Sequence, residues 1–297
     1  MLSKILGRYS HFHFVVRQWD SVNDIEVLSK AISTGYFQHQ LVAAQPSLGS
    51  YKKVLILAPH QDDESIGCGG LMAKLYCQGT RLRVLYTTDG RQANLGMSEE
   101  ESIQLRNREA KRALSIVRAE FRQLSIDNKR FVIRPNDLEN MRMQINEFGP
   151  DLILLPWLFD RPIKHRVLNH MFALLASNLT YRDISVWGYQ VHNHLFPNIA
   201  FDISEEISTK EQMINCYDSQ IANFKDYAHQ TIGLNAFNSI YVKDSKYAEI
   251  FFGLPLAEYA KLVLRWYNKD LLAIYKGNQD YADNMKTIQQ AAQKIYA

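Results

Sequence analysis

The chain has 297 residues, with 34 basic and 31 acidic side chains and a formal charge of +3. Apolar residues at 46% and charged residues at 22% are ordinary for a globular protein, and so small a positive excess argues against a general nucleic-acid binder. Sixteen Tyr, 14 Phe and 4 Trp argue against disorder, and three Cys (Cys68, Cys77, Cys216) without a CxxC pair give neither a disulfide framework nor a cysteine metal site.

Residues 1–50 read as a helical N-terminal extension, with Val22, Ile25, Leu28 and Ile32 at helical spacing. Lys4 and Arg8 precede no long apolar stretch, so no secretory signal is expected. The apolar runs, such as Leu152–Phe159, are far shorter than the ~20 residues of a spanning helix. A soluble, cytoplasmic protein is expected, with peripheral membrane contact left open.

From residue 51 onward the pattern predicts an α/β domain. Lys53–Ala58 is a short apolar run of the kind buried on both faces of a parallel sheet. A helix is expected from about Ser65 to Gln78, stopped by Gly79, then a strand over Arg81–Thr87. Ser98 and Glu101 form a capping box for a helix reaching about Val117. A helix over 136–148, a strand at Leu152–Leu155, a helix near Lys164–Ser177 and a strand near Ile184–Val191 follow. Beyond about residue 204 the chain reads as mainly helical, with one strand near Ser239–Val242. Alternating strands and helices imply a Rossmann-like three-layer sandwich with a mostly parallel sheet.

Ligands of such sheets bind beyond the carboxyl ends of the strands. There, directly after the first strand, stands Pro59-His60-Gln61-Asp62-Asp63-Glu64-Ser65. Capping of the next helix explains one carboxylate. It does not explain adjacent carboxylates beside an imidazole. Asp63 is three residues from His60, so a tight turn brings both onto one cation, and His plus carboxylate is a common zinc pair. Asp62, pointing elsewhere, is placed to take a proton from water at the metal. Gly67, Gly69 and Gly70 allow the helix to pack closely; their spacing is not GxGxxG.

The run Ala58-Pro59-His60-Gln61-Asp62-Asp63-Glu64, followed by Gly67-Cys68-Gly69-Gly70, resembles the signature of the PIG-L / LmbE-like deacetylases. Thr87-Thr88-Asp89-Gly90, Leu105-Arg106 with Glu109 and Ala110, Pro150-Asp151-Leu152-Ile153, and the later Asp202-Ile203-Ser204, Lys210 and Ser219-Gln220 follow in the family's order, covering about residues 52–225. The resemblance implies a metal-dependent enzyme, usually containing zinc, that removes acetyl groups from N-acetylated sugars and related amides. It makes His60 and Asp63 metal ligands and Asp62 the general base. The third ligand is the last His of an HPDH-like motif, here Asp160-Arg161-Pro162-Ile163-Lys164-His165, so His165 is the match. His165 shares a helix face with Leu168 and Phe172.

This chain departs from the family there. The motif's first His, an oxyanion donor in many members, is Pro162, and Lys164 replaces an Asp. Arg161 or Lys164 is the candidate source of positive charge, with a second His available from His192 or His194. Those two alternate along the expected strand and, with Asp89, are candidate substrate contacts. Arg106 admits two readings: a snorkelling side chain paired with Glu109, or an active-site group among the carboxylates. The expectation is a zinc-dependent N-deacetylase, with Fe²⁺ as the other metal, acting on an N-acetylated sugar or glycoconjugate; homo-oligomerisation is open. Two alternatives remain: a non-catalytic glycan-binding relative, and a Mg²⁺-dependent phosphoryl-transfer enzyme with oxygen-only ligands.

Overall fold

The structure is a computed structural model describing residues 43–91, 96–181, 183–223 and 226–295. The helix expected over Val22–Ile32, like the rest of the extension up to residue 42, lies outside the described residues. Within the last part of that extension, Ala44 bridges to Ile199 and Leu48–Ser50 makes one 3₁₀ turn.

Strand β1 (Lys53–Ala58) is apolar and buried after its first residue, as its unbroken aliphatic run requires. Helix α1 (Asp63–Cys77) follows, then β2 (Arg81–Thr88) and α2 (Glu99–Ile116). The Ser98 hydroxyl accepts the Glu101 N–H at 3.2 Å, and the Glu101 carboxylate accepts the Ser98 N–H at 2.9 Å. This reciprocal cap starts α2 where the sequence placed it. Next come β3 (Glu120–Ile126), α3 (Pro135–Phe148), β4 (Leu152–Pro156) and α4 (Ile163–Leu175). Then follow β5 (Ser185–Tyr189), β6 (Ile199–Asp202), α5 (Ile207–Ile214), α6 (Asp218–Asn223) and α7 (Tyr227–Asn238). The chain continues through β7 (Ala248–Pro255), α8 (Leu256–Tyr267), α9 (Leu271–Ile274) and α10 (Gln279–Ile295).

Among the described residues the strands form one seven-stranded sheet in the order β3-β2-β1-β4-β5-β7-β6. The first five are parallel; β7 runs antiparallel to both β5 and β6. Alternate strand residues feed two cores. Leu55, Leu57, Ile153 and Leu155 pack with α3, α4, α8 and α10 on one face. Val54, Ile56, Leu152 and Leu154 pack with α1 and α2 on the other. This is the three-layer α/β sandwich expected.

Beyond residue 204 the described chain is mainly helical, as expected, but its one strand is β7, not the expected segment. Ala248-Glu249-Ile250-Phe251-Phe252-Gly253-Leu254-Pro255 is buried almost throughout, so it lacks the polar–apolar alternation that marks a half-exposed strand. The strand expected near Ser239–Val242 is a 3₁₀ turn over Ser239–Tyr241. Not expected from the sequence are β3, a partly exposed edge strand, and the four-residue β6. Strand β5 ends at Tyr189, short of the expected Val191, so His192 and His194 lie in the loop after it.

Two features aim the site. The chain leaves β1 toward β2 on one side and returns to β4 on the other, so the loops after β1 and β4 part around a crevice at the strands' carboxyl ends. Helix α1 is broken at Cys68 (φ −146°, ψ 21°), which frees N–H groups beyond the break. Glu249 of β7 accepts those of Gly70 and Leu71 at 2.8 and 2.7 Å, and Lys210 Nζ donates to the same carboxylate at 2.6 Å. The glycines permit this closeness: a Cβ on Gly67 would lie 2.2 Å from the Tyr189 ring, and one on Gly70 2.8 Å from Ile203.

Tyr189 is buried, with its hydroxyl donating to the Leu57 carbonyl at 3.0 Å, so it cannot swing aside. Gly67→Ala should therefore destabilise the fold by about 1–3 kcal/mol despite alanine's better helix propensity. Urea unfolding checks this; an unchanged midpoint would contradict the close packing.

Candidate metal centre and active-site cleft

The turn from β1 into α1 delivers His60, Asp62 and Asp63. The turn from β4 into α4 delivers Asp160 and His165. Asp63 Oδ2 stands between the two imidazoles: His60 Nδ1 is 3.1 Å away and His165 Nε2 3.3 Å. The His60 N–H donates to the same oxygen at 2.9 Å. One ligand atom from each of His60, Asp63 and His165 lies within 4.8 Å of the others. His165 is fully buried, and its Nε2 has no hydrogen-bond partner. Its Nδ1 lies 2.8 Å from Asp160 Oδ2, which fixes the ring and turns Nε2 toward Asp63. Two imidazoles and a carboxylate converging on one point, with a buried ring nitrogen unsatisfied, fit a divalent cation of the zinc or ferrous type.

Asp160, given no role in the sequence analysis, gathers three main-chain N–H groups from two loops. Its Oδ1 accepts the N–H groups of Arg161, His192 and Asn193 at 2.9, 3.3 and 3.0 Å. It therefore ties the loop after β5 to the loop after β4. An acidic residue at the end of a buried strand, five before a candidate ligand His, was the available signal.

Electrostatics follow from burial. For His165, burial is the largest influence and opposes the charged ring, but Asp63 and Asp160 together outweigh it and raise the pKa to about 10. Burial is also the largest influence on Asp63 and would raise it, but His165 and His60 together hold it well below the usual carboxylate range. Asp62 is raised to about 8, chiefly by burial, with Arg106 opposing. A bound dication beside it would draw that proton off.

Asp62 sits at φ 143°, a strained backbone for any residue but glycine. Its Oδ2 accepts from Arg106 Nη2 at 3.1 Å. Arg106 Nη1 donates to Glu109 at 3.1 Å, and Glu109 is held by the Ser219 N–H and hydroxyl at 2.8 and 2.9 Å. At 2% exposure Arg106 does not snorkel to solvent; it pairs with Glu109 and reaches Asp62 and the cleft. Glu64 turns away from the cleft to bind the Tyr217 hydroxyl at 2.5 Å and the Ser65 hydroxyl at 2.6 Å.

The cleft has a volume of about 300 Å³. His60, Asp62, Asp63, Arg106 and His192 line it, together with Gln61, Ile66, Gly90, Asn128, Gln220 and Tyr227. The ring of His192 is centred 5.4 Å from that of His165. The other candidates stand apart from it. Asp89 accepts from Arg91 and from the Asn128 N–H, bracing the cleft's rim. Lys164 Nζ donates to the carbonyl and side-chain oxygens of Asn128. Arg161 is exposed and outside the cleft lining, and His194 packs near Phe237. Gln220 belongs to the Ser219-Gln220 motif but was given no place in the site, and Tyr227 and Asn128 were not singled out from sequence, because distant elements carry them to the cleft.

Residues 55–176 match the model of the PIG-L family, described as GlcNAc-PI de-N-acetylase. Several solved structures share the fold. The N,N'-diacetylchitobiose deacetylase of Pyrococcus horikoshii superposes with a TM-score of 0.64 at 20% identity, covering 80% of this chain and 96% of that one. The A40926 pseudoaglycone deacetylase gives 0.56 at 18% identity, with 69% and 98% covered. The 4-carboxy-2-hydroxymuconate hydratase GalB of Pseudomonas putida gives 0.58 at 18%, with 68% and 96% covered. At these identities the likeness is one of fold.

Asp160→Asn keeps the size of the side chain but removes the charge that orients His165. It should weaken metal binding about 10–100-fold while leaving the folded spectrum intact. Chelator competition reads this directly; wild-type affinity in the variant would contradict the orienting role.

Proposed function

We propose that this chain, a PIG-L family member over residues 55–176, is a metal-dependent hydrolase that removes the acetyl group from an N-acetylated sugar or glycoconjugate. The observation that carries the proposal is the convergence of His60, Asp63 and His165, with Asp62 beside them in the cleft. Two nitrogens and one carboxylate favour zinc, with ferrous iron second. Magnesium prefers an all-oxygen shell, which weighs against the phosphoryl-transfer alternative. The hydratase of the same fold is a reminder that the scaffold alone does not select the chemistry. The family match is what favours the amide.

When bound, the metal would polarise the acetamide carbonyl and ease ionisation of the attacking water. The chain's own groups then divide the remaining work. Asp62 receives the water's proton and returns it to the departing nitrogen. Arg106 holds one oxygen of Asp62, leaving the other for proton transfer. His192, beside His165 at the cleft, is the best-placed N–H donor for the developing oxyanion. It would stand in for the motif histidine that Pro162 replaces. Arg161 and Lys164 are less suited, the first lying outside the cleft and the second engaged by Asn128. A cleft of about 300 Å³ lined mostly by polar residues suits one sugar ring with its acetamide better than an extended oligosaccharide.

Acetate release from N-acetylhexosamines and their glycosides is the assay. Asp62→Asn should retain one metal per chain and lose about 10²–10⁴ in kcat. His192→Ala should also keep the metal and lose about 10²–10³. His165→Ala should lose the metal itself. Full turnover by Asp62→Asn would refute the mechanism, and a metal-loaded wild type inert on every acetamide would favour the glycan-binding alternative.

A further inference from the structure

We propose that Arg166 is a positioning residue through which the C-terminal helices set the geometry of the metal centre. The inference rests on the metal reading above and concerns residues outside the catalytic set. Arg166 follows His165 on α4 and is fully buried. Its Nε donates to the Asp160 carbonyl at 2.9 Å and its Nη2 to the Arg161 carbonyl at 3.4 Å. Its Nη1 donates to the Ile274 carbonyl at the end of α9, and its own carbonyl accepts from the Tyr267 hydroxyl of α8.

The chemistry of these contacts is specific. A planar guanidinium offers its N–H groups in fixed directions, so main-chain carbonyls engaged by it are held in register. One such carbonyl belongs to Asp160, whose carboxylate orients His165 and gathers the N–H groups of His192 and Asn193. Displacing that main chain by a fraction of an ångström would turn the imidazole and shift the loop that carries His192. Packing alone would not need a cation here, because an unbranched apolar chain fills similar space without the cost of burying charge. The partners from α8 and α9 lie outside the segment that matches the family, 55–176. The adjacent His170 extends the same contact, with Nδ1 2.9 Å from the Tyr275 hydroxyl and its ring 4.1 Å from that of Tyr267.

The test is zinc affinity of the full chain by chelator competition at one pH, with the cobalt(II) absorption spectrum as a report on ligand geometry. Arg166→Met should bind zinc about 10–100-fold more weakly and give an altered cobalt spectrum. Arg166→Lys should recover part of the loss. Tyr267→Phe, which removes the hydroxyl that bonds the Arg166 carbonyl and meets Tyr275, should show a smaller loss. Asn284→Ala is the control. Asn284 of α10 bonds both main-chain groups of Ile133, away from the ligand loops, so its loss should lower stability without changing affinity. Wild-type affinity and an unchanged spectrum in Arg166→Met would overturn the proposal, as would an equal loss in Asn284→Ala. If Arg166→Met does not fold, wild-type affinity in Tyr267→Phe overturns it instead. A wild type that binds no metal would overturn the metal centre first, and this proposal with it.

Discussion

The site depends on a single carboxylate oxygen. Asp63 Oδ2 accepts the N–H of His60 and lies within 3.3 Å of a ring nitrogen from each histidine. One histidine comes from the turn after β1 and the other from the helix after β4, and these strands are neighbours at which the chain reverses its direction of spread. The two turns must part there, opening a crevice. Bringing a carboxylate and two imidazoles together in that crevice is electrostatically possible only where the imidazoles or a cation carry compensating charge. The arrangement is therefore both the floor of the cleft and its organising charge.

The rest of the first βα unit serves to hold that oxygen in place. Asp62 takes a strained backbone conformation so that consecutive carboxylates diverge, one to the ligand cluster and one to Arg106. The break at Cys68 would leave buried N–H groups without partners, and Glu249 supplies acceptors for two of them from β7. Lys210 balances the charge so introduced. Buried ion pairs are often no more stabilising than apolar replacements, but removing one partner is costly. The sequence features that surround the carboxylates, the glycines included, thus describe one kinked helix and the strand that caps it.

Local signals carried much of this. The aliphatic run at Lys53–Ala58, the Ser98/Glu101 capping box and the His60–Asp63 spacing each follow from residues within five positions of one another. What sequence alone concealed is non-local. Strand β7 is buried on both faces and lacks periodicity, so it reads no differently from a buried helical segment. His192 was placed on a strand, whereas the backbone contacts of Asp160 fold its segment into a loop facing the cleft. Asp89 matched a motif but is occupied by Arg91 and Asn128, a pairing that no spacing rule predicts. Gln220 and Tyr227 come to the cleft from helices more than 130 residues beyond β1.

The departures from the family motif make sense in the same terms. A catalytic donor need not keep its place in the sequence so long as its N–H reaches the same point in space. Pro162 removes a donor from the turn before α4, and in exchange fixes φ at −66° just before the helix that carries His165. Lys164, in the place of a motif Asp, bonds Asn128 and so closes the rim toward the loop after β3. The imidazole of His192 then remains beside the metal cluster, presented by a loop that Asp160 ties to the ligand-bearing turn. Because one carboxylate fixes both His165 and the loop bearing His192, the two cannot drift independently. In the proposed reaction such coupling would let a donor move between segments without losing its place beside the histidine–carboxylate cluster.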